Sequence, residues 1–286
     1  MKRLGVTANC AKKHARRVLR QLAAKAGELG ITLVADEATA ALLKDCETMP
    51  AARMFDTVDA VLALGGDGTV LRAIRELAGR DKPVMGINLG GLGFLTSVAE
   101  EELERALRCI AADDYVIGAR AVVECAVIRG GSEIGNYRAL NDVVVSSGPT
   151  SRVVTLEVTV DGDPVTSYVC DGLIVSTPTG STGHSLSAGG PILSPETPAL
   201  VISLICPHTL SSRPLVVPDR SEILVTVTRS AGDIVLSIDG QVGQPLVMAD
   251  SVRVRRSGQD ARFVHLPGHS NFAVLRQKLH WSGSSV

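Results

Sequence analysis

The chain has 6 cysteines (Cys10, Cys46, Cys109, Cys125, Cys170 and Cys206) but no Cys-x-x-Cys or Cys-x-x-His spacing. That excludes a structural zinc site or a disulfide framework and leaves buried thiols in a reducing compartment. Aromatic residues are scarce, at 3%, the net charge is only -1, and no basic run is interleaved with aromatics. A nucleic-acid surface is therefore excluded. The one cationic cluster, Lys12, Lys13, Arg16, Arg17 and Arg20, falls opposite Val18, Leu19, Leu22 and Ala26 on a predicted helix, where it forms the solvated face. Uncharged stretches are interrupted by Gly, Pro, Ser and Thr, and no apolar core follows Met1, Lys2 and Arg3. The expectation is a chain with neither membrane span nor signal peptide, located in the cytoplasm. Two common nucleotide signatures are also missing: GxxxxGK[ST] occurs nowhere, and the first strand-turn, "GVTANCAKK", lacks GxGxxG.

What is present is a chain of 286 residues with 45% hydrophobic content, enough for one large domain or two modest ones. The pattern changes once, near residue 112. Before it, strands and helices alternate: "RLGVT" and "ITLVAD" flank a helix over 11–29 that stops at Gly30, and "AVLAL" and "PVMGIN" flank a second helix. Ser97 with Glu100 predicts a capping box for the helix carrying Leu103, Ala106, Leu107 and Ile110. Such alternation specifies an α/β domain with a parallel sheet. After it come "AVVECAVI", "DVVVSS", "RVVTLEVTV", "GLIVST", "ALVISLI", "EILVTVT" and "DIVLSID", short β-branched runs separated by GG, DGD, SAGG, RSAG and DG turns. The expected organisation is an α/β domain over 1–112 and a mostly-β domain over 113–267. The "FAVLRQKL" tail has helical character, and the segment from about 268 to 286 is expected to pack back on the first domain.

The stretch "VLALGGDGTVLRAI", residues 61–74, places a carboxylate among three glycines between a buried strand and a helix. Gly65, Gly66 and Gly68 are expected to permit positive φ and close approach of a ligand to backbone N–H groups, and with Thr69 they form a candidate phosphate loop. Asp67 would repel a phosphate. It suits instead the acceptor side of phosphoryl transfer, where an acid positions a hydroxyl and takes its proton. The alternative is that Asp67 merely caps the following helix. Farther on, "DGLIVSTPTGSTGHSLSAGGPI", residues 171–192, crowds hydroxyls (Thr177, Thr179, Ser181, Thr182, Ser185, Ser187) and glycines into one turn, as a planar base or ribose would require. Asn141 and Asp142 stand at the start of a strand, where they either hold a ligand or end a turn.

Taken in order, "GGDGT", "NLGGLGFLT", "ALNDVVV", "DGLIVSTPTGST", "LSAGGPI", "ICPHTLSSRPLVV" and "SIDGQ" resemble the NAD kinase family over most of the chain, from residue 61 to about 245. The GGDG loop alone is shared with diacylglycerol kinases, sphingosine kinases and phosphofructokinases. The resemblance implies ATP-dependent phosphorylation of the 2'-hydroxyl of the adenosine ribose of NAD, a divalent cation (Mg2+), and a homodimer or homotetramer with sites shared between subunits.

Carried over by position, the resemblance makes Asp67 the proton acceptor and Gly68 a dinucleotide contact, with Arg72 facing phosphates or solvent. It also implies that Asn141 and Asp142 hold ribose hydroxyls, although the family more often has Glu at the second position. Arg152 matches a basic ligand contact, Asp171 the group that reads the adenine amino group, and Gln241 a late polar contact. Thr182, Gly183, His184, Ser185, Leu186 and Ser187 match the loop around the base. Two positions depart from the family: Gly183 and His184 replace Ala-Tyr, and Val169 stands where relatives often place a basic or polar contact. The rival readings are a non-catalytic dinucleotide sensor, for which His184 is the only support, and a lipid kinase sharing the Asp67 loop.

Overall fold

A computed structural model describes residues 1–43, 46–91, 93–148 and 153–281. The chain divides into two compact units, Met1–Ala119 with Ala261–Val286, and Arg120–Asp260. These limits differ from the expected edges at 112 and 267 because two strands missed in the sequence, Val116–Arg120 and Ala261–His265, belong to the first sheet.

Among the described residues that sheet has eight strands. Its main path runs Glu47–Thr48, Thr32–Ala35, Arg3–Ala8, Ala60–Gly65, Val84–Asn88, Ala261–His265, Val116–Arg120, and Val98–Ala99 pairs with Val84–Asn88 off the path. The ladders from Glu47–Thr48 through Ala261–His265 are parallel. Alternation along the strands sends Leu4, Val6, Leu62, Leu64, Met85 and Ile87 into one core with Val18, Leu19 and Leu22 of the helix Ala15–Glu28. That helix ends at Gly30, whose φ of 66° is the left-handed value a chain reversal favours in glycine. The expected Ser97–Glu100 capping box is replaced by a one-turn 3-10 segment, Glu100–Glu102, in which the Glu102 carboxylate accepts the Ala99 N–H at 3.5 Å. The short strand Val98–Ala99 holds the preceding chain extended, which moves the helix start downstream to Leu103.

The second unit is all antiparallel. One six-stranded sheet runs Leu215–Pro218, Ala199–Ile205, Gly172–Ser176, Asp142–Ser147, Ile234–Ile238, Val242–Leu246; the other runs Asp163–Cys170, Val154–Val160, Ile223–Ser230, Ser251–Arg256, Val123–Arg129, Ser132–Ala139. Inward residues of both, among them Val143, Val145, Leu173, Val127, Leu156 and Val225, make one core. Two-residue turns set the hairpin registers. Asp239 and Gly240 have φ of 50° and 64°, and Asp161 and Gly162 have 54° and 85°, the positive values that match the twist of a tight hairpin.

Candidate functional site

Asp67 is the first residue of the helix Asp67–Leu77, which follows the fully buried strand Ala60–Gly65. Gly66 occupies the cap position without a side-chain bond. The Asp67 carboxylate turns instead to the neighbouring loop: Oδ2 accepts the Phe94 N–H at 2.8 Å, and Oδ1 accepts those of Leu95 at 3.0 Å and Thr96 at 3.3 Å. The helix-cap alternative therefore gives way to a carboxylate clamp on a second loop. A carboxylate offers roughly four acceptor positions, so one remains uncommitted among the described residues. Asp67 as a residue is partly exposed.

Positive φ is not used in this loop, contrary to expectation, and of its glycines Gly65 is required by close contact while a Cβ on Gly66 would meet nothing within 4 Å. Gly65, Gly66 and Gly68 all lie outside the left-handed region. A Cβ on Gly65 would stand 2.1 Å from Thr69 Oγ1, and one on Gly93 would stand 1.9 Å from Asp67 Oδ1. Gly86 is similarly enclosed, with Leu95 O at 2.7 Å from its hypothetical Cβ, so the 93–96 loop lies flat on the strand Val84–Asn88. Gly93 and the three amides were missed as site residues. The only signal for them was the glycine density of "NLGGLGFLT".

Arg72 lies near the Asp67 loop on the same helix, and its guanidinium is half committed: Nη2 donates to Thr7 Oγ1 at 2.9 Å and Ala8 O at 3.2 Å. Its Nε is buried without a partner among the described residues, as is Nδ2 of Asn88, which pairs in register with Gly65. Both unpaired groups are donors, which suits an anion at this end of the sheet.

In the second unit, the hairpin turn at Asp239 swings its carboxylate onto the 140–142 backbone. Oδ2 accepts the Leu140 N–H at 3.0 Å, and Oδ1 accepts those of Asn141 at 2.7 Å and Asp142 at 3.1 Å. This clamp was also missed. Its consequence falls on Asp142, which is 5% exposed. Burial and then the neighbouring Asp239 charge push its carboxyl up to about 7. The Asn141 side-chain oxygen and Thr179 Oγ1 are buried without partners among the described residues. The turn at 177–180 packs directly on Asn141: Thr177 N–H donates to its carbonyl at 2.9 Å, and a Cβ on Gly180 would stand 2.1 Å from the same oxygen.

Asp142 gives a stability prediction. Because its folded pKa lies above the ordinary value of 3.8, its contribution is fully present below about pH 4 and is lost as pH rises to about 7. Asp142→Asn should therefore become more stable relative to the parent by about 1.4 kcal/mol per pH unit across that window. Denaturant unfolding of both proteins at pH 5 and pH 8 checks it; parallel stability curves would mean that Asp142 ionises normally.

Most of the hydroxyls expected to face a ligand are spent inside the protein. Thr177 Oγ1 donates to Leu140 O at 2.5 Å, Ser181 Oγ to Pro178 O at 2.7 Å, and Thr182 Oγ1 to Thr179 O at 3.2 Å. Ser185 is buried, and its hydroxyl bonds Ser203 Oγ at 3.0 Å. Gly183, His184 and Ser187 are exposed, and Leu186 is partly buried. Gln241 is exposed on the hairpin that carries Asp239. Arg152 lies outside the described residues. Asp171 is separated from Asn141 and Asp142 by the length of the strand Gly172–Ser176, since Asp142 pairs with Ser176 and Ser146 with Gly172. At about 3.3 Å per residue that is roughly 15 Å. Its carboxylate is bonded by the Cys206 thiol, and this bond raises the thiol pKa. Val169 lines a cavity of about 570 Å³ with His208, Arg213 and Leu215. No group of three or more His, Cys, Asp or Glu side chains converges as a metal cage among the described residues. No helix there is long and apolar enough to cross a membrane.

A parallel α/β unit with an aspartate clamped at the carboxyl edge of its sheet, followed in the chain by an antiparallel β unit, fits the phosphotransferase chemistry that the GGDG loop suggested. The ATP-NAD kinase N-terminal domain matches residues 5–115, and the ATP-NAD kinase C-terminal domain matches residues 140–266. The chain belongs to the ATP-NAD kinase family. It is 39% identical to the NAD kinase of Syntrophotalea carbinolica over 282 residues, 98% of this chain and 99% of that protein. It is 47% identical to the NAD kinase of Heliobacterium modesticaldum over 222 residues, 78% of each. Its fold is similar to yeast NADH kinase complexed with NADH (TM-score 0.92, 24% identity, 100% of this chain and 89% of that one). It is also similar to an Archaeoglobus fulgidus NAD kinase in complex with ATP (TM-score 0.77, 25% identity, 98% and 100%).

Proposed function

We infer that the chain transfers the γ-phosphoryl group of ATP to the 2'-hydroxyl of the adenosine ribose of NAD, giving NADP. The observation that carries this reading is Asp67, held by three backbone N–H groups with one acceptor position left. In the proposed step the ribose oxygen bonds to the γ-phosphorus, the bond from that phosphorus to the bridging oxygen breaks, ADP leaves, and the hydroxyl proton passes to Asp67. Gly65, Gly66, Gly68 and Thr69 flank the reacting groups, and Arg72 with its uncommitted Nε supplies positive charge. Asn141 and Asp142 hold ribose hydroxyls. The 182–187 turn, with His184 exposed on it, surrounds the base, and Ser185 contributes backbone rather than its occupied hydroxyl. Arg152 and Gln241 keep their proposed contacts with the dinucleotide, and Val169, which has no polar group, offers it only an apolar contact. A divalent cation, Mg2+, would be held mainly by the triphosphate, where it would neutralise phosphate charge, since Mg2+ is commonly held by phosphates and one or two carboxylates rather than by a protein cage. Six cysteines outside any disulfide support a cytoplasmic location. A coupled assay for NADP formation tests the activity; tight NAD binding without turnover would favour the sensor reading.

The distance of Asp171 from Asn141 supports a site completed by a second copy, in which Asp171 reads the adenine amino group of a neighbour's NAD. Exposed Val165, Val169, Leu210, Leu215 and Val216 provide an apolar surface for that contact. Mixing Asp67→Asn with Asp171→Ala should restore activity, because exchanged oligomers contain some pockets with both carboxylates. No recovery, with exchange verified by light scattering, would return Asp171 to the same subunit's site.

A further inference from the structure

The C-terminal helix Asn271–Lys278 is thinly anchored. Leu275 is its one buried residue, while Phe272 and, just past its end, Trp281 are exposed. Its start is capped by Ser270 Oγ, which accepts the Ala273 N–H at 3.2 Å, and the preceding chain is held where Arg105 Nη2 donates to Pro267 O at 3.0 Å. At its other end the Lys278 ammonium lies 5.8 Å from the centre of the Phe94 ring. This is within the range at which a cation is attracted to an aromatic face. Phe94 is also the residue whose backbone N–H holds Asp67 Oδ2 at 2.8 Å. The last helix of the chain thus reaches the carboxylate through one intermediate residue. Chain connectivity does not explain the contact, since Lys278 and Phe94 are far apart in sequence.

We propose that Lys278 is a positioning residue for phosphoryl transfer: its cation–π contact fixes Phe94, and Phe94 fixes the carboxylate of Asp67. The proposal rests on the reading of Asp67 as the proton acceptor. A ring free to rock would move the 93–96 backbone, and the amide bonds to Oδ1 and Oδ2 would lengthen together. Misplacement of a catalytic group affects the transition state more than ground-state binding, so the effect belongs in kcat.

The test is a double-variant cycle on the full chain. Lys278→Met should lower kcat about 2- to 5-fold, the rate equivalent of one exposed cation–π contact, with both KM values unchanged and the melting temperature lowered by no more than a few degrees. Lys278→Arg, which keeps the cation, should match the parent. In a Phe94→Leu background Lys278→Met should have no further effect, whereas in Phe94→Tyr, which keeps the ring should Leu disturb folding, the full loss should persist. A parent-like kcat for Lys278→Met, or an equal loss with and without the ring, overturns the proposal. Asp67→Asn, measured alongside, separates the two levels. Retained kcat there overturns the proton-acceptor reading, whereas its collapse beside a null cycle overturns only the role of Lys278.

Discussion

Asp67→Asn is expected to lower kcat by about 10²-fold or more, the scale for removing a positioned general base, with KM for NAD nearly unchanged. The geometry adds a second expectation. An Asn can keep its oxygen toward the Leu95 and Thr96 amides, but its NH2 then faces the Phe94 N–H, donor against donor. Stability should fall by about 1 to 3 kcal/mol, the scale for one buried polar group losing its partner. Rates must therefore be measured well below the melting temperature. A variant that loses stability but turns over normally would make Asp67 a loop clamp and nothing more.

Gly93→Ala should be nearly as damaging without touching a reactive group. The added methyl would stand 1.9 Å from Asp67 Oδ1 and 2.5 Å from its Cγ, distances that no packed pair tolerates. The loop is pinned on its other side by the enclosed Gly86, so the carboxylate must move. A displacement of about 1 Å at a reacting group can cost on the order of 10²-fold in rate. Gly91→Ala is the control, since nothing lies within 4 Å of the added atom there. Steady-state kinetics of the two variants compares them directly; equal activity would mean that the 93–96 loop yields easily and does not set the position of Asp67.

Local patterns carried much of this architecture. The strand Ala60–Gly65 and the helix Asp67–Leu77 were legible because the apolar period changes from continuous to helical across two glycines. The seven β-branched runs all became strands of the antiparallel sheets. Strands that face solvent, such as Ser132–Ala139 and Asp163–Cys170, escaped because few of their side chains are apolar and buried. The return of Ala261–His265 to the first sheet is a long-range pairing that no local pattern encodes. At the site, Asp67 and Asn141 were visible as unusual residues in turns. The partners that hold them were not, because three of the atoms involved are backbone amides of a distant loop, and Asp239 looked like an ordinary hairpin aspartate. The hydroxyl-rich turn was overread in the other direction. Ser181 bonds within the turn, Thr177 and Ser185 tie it to Leu140 and Ser203, and only Thr179 leaves a buried hydroxyl without a partner among the described residues.

The most direct measurement is the identity of the product. Purified protein incubated with ATP, Mg2+ and NAD, followed by phosphorus NMR, should show a new phosphomonoester on the 2'-oxygen of the adenosine ribose, formed in step with ADP and about 10²-fold more slowly by Asp67→Asn. ADP released with inorganic phosphate and no ribose ester, or an ester at another oxygen, would contradict the account.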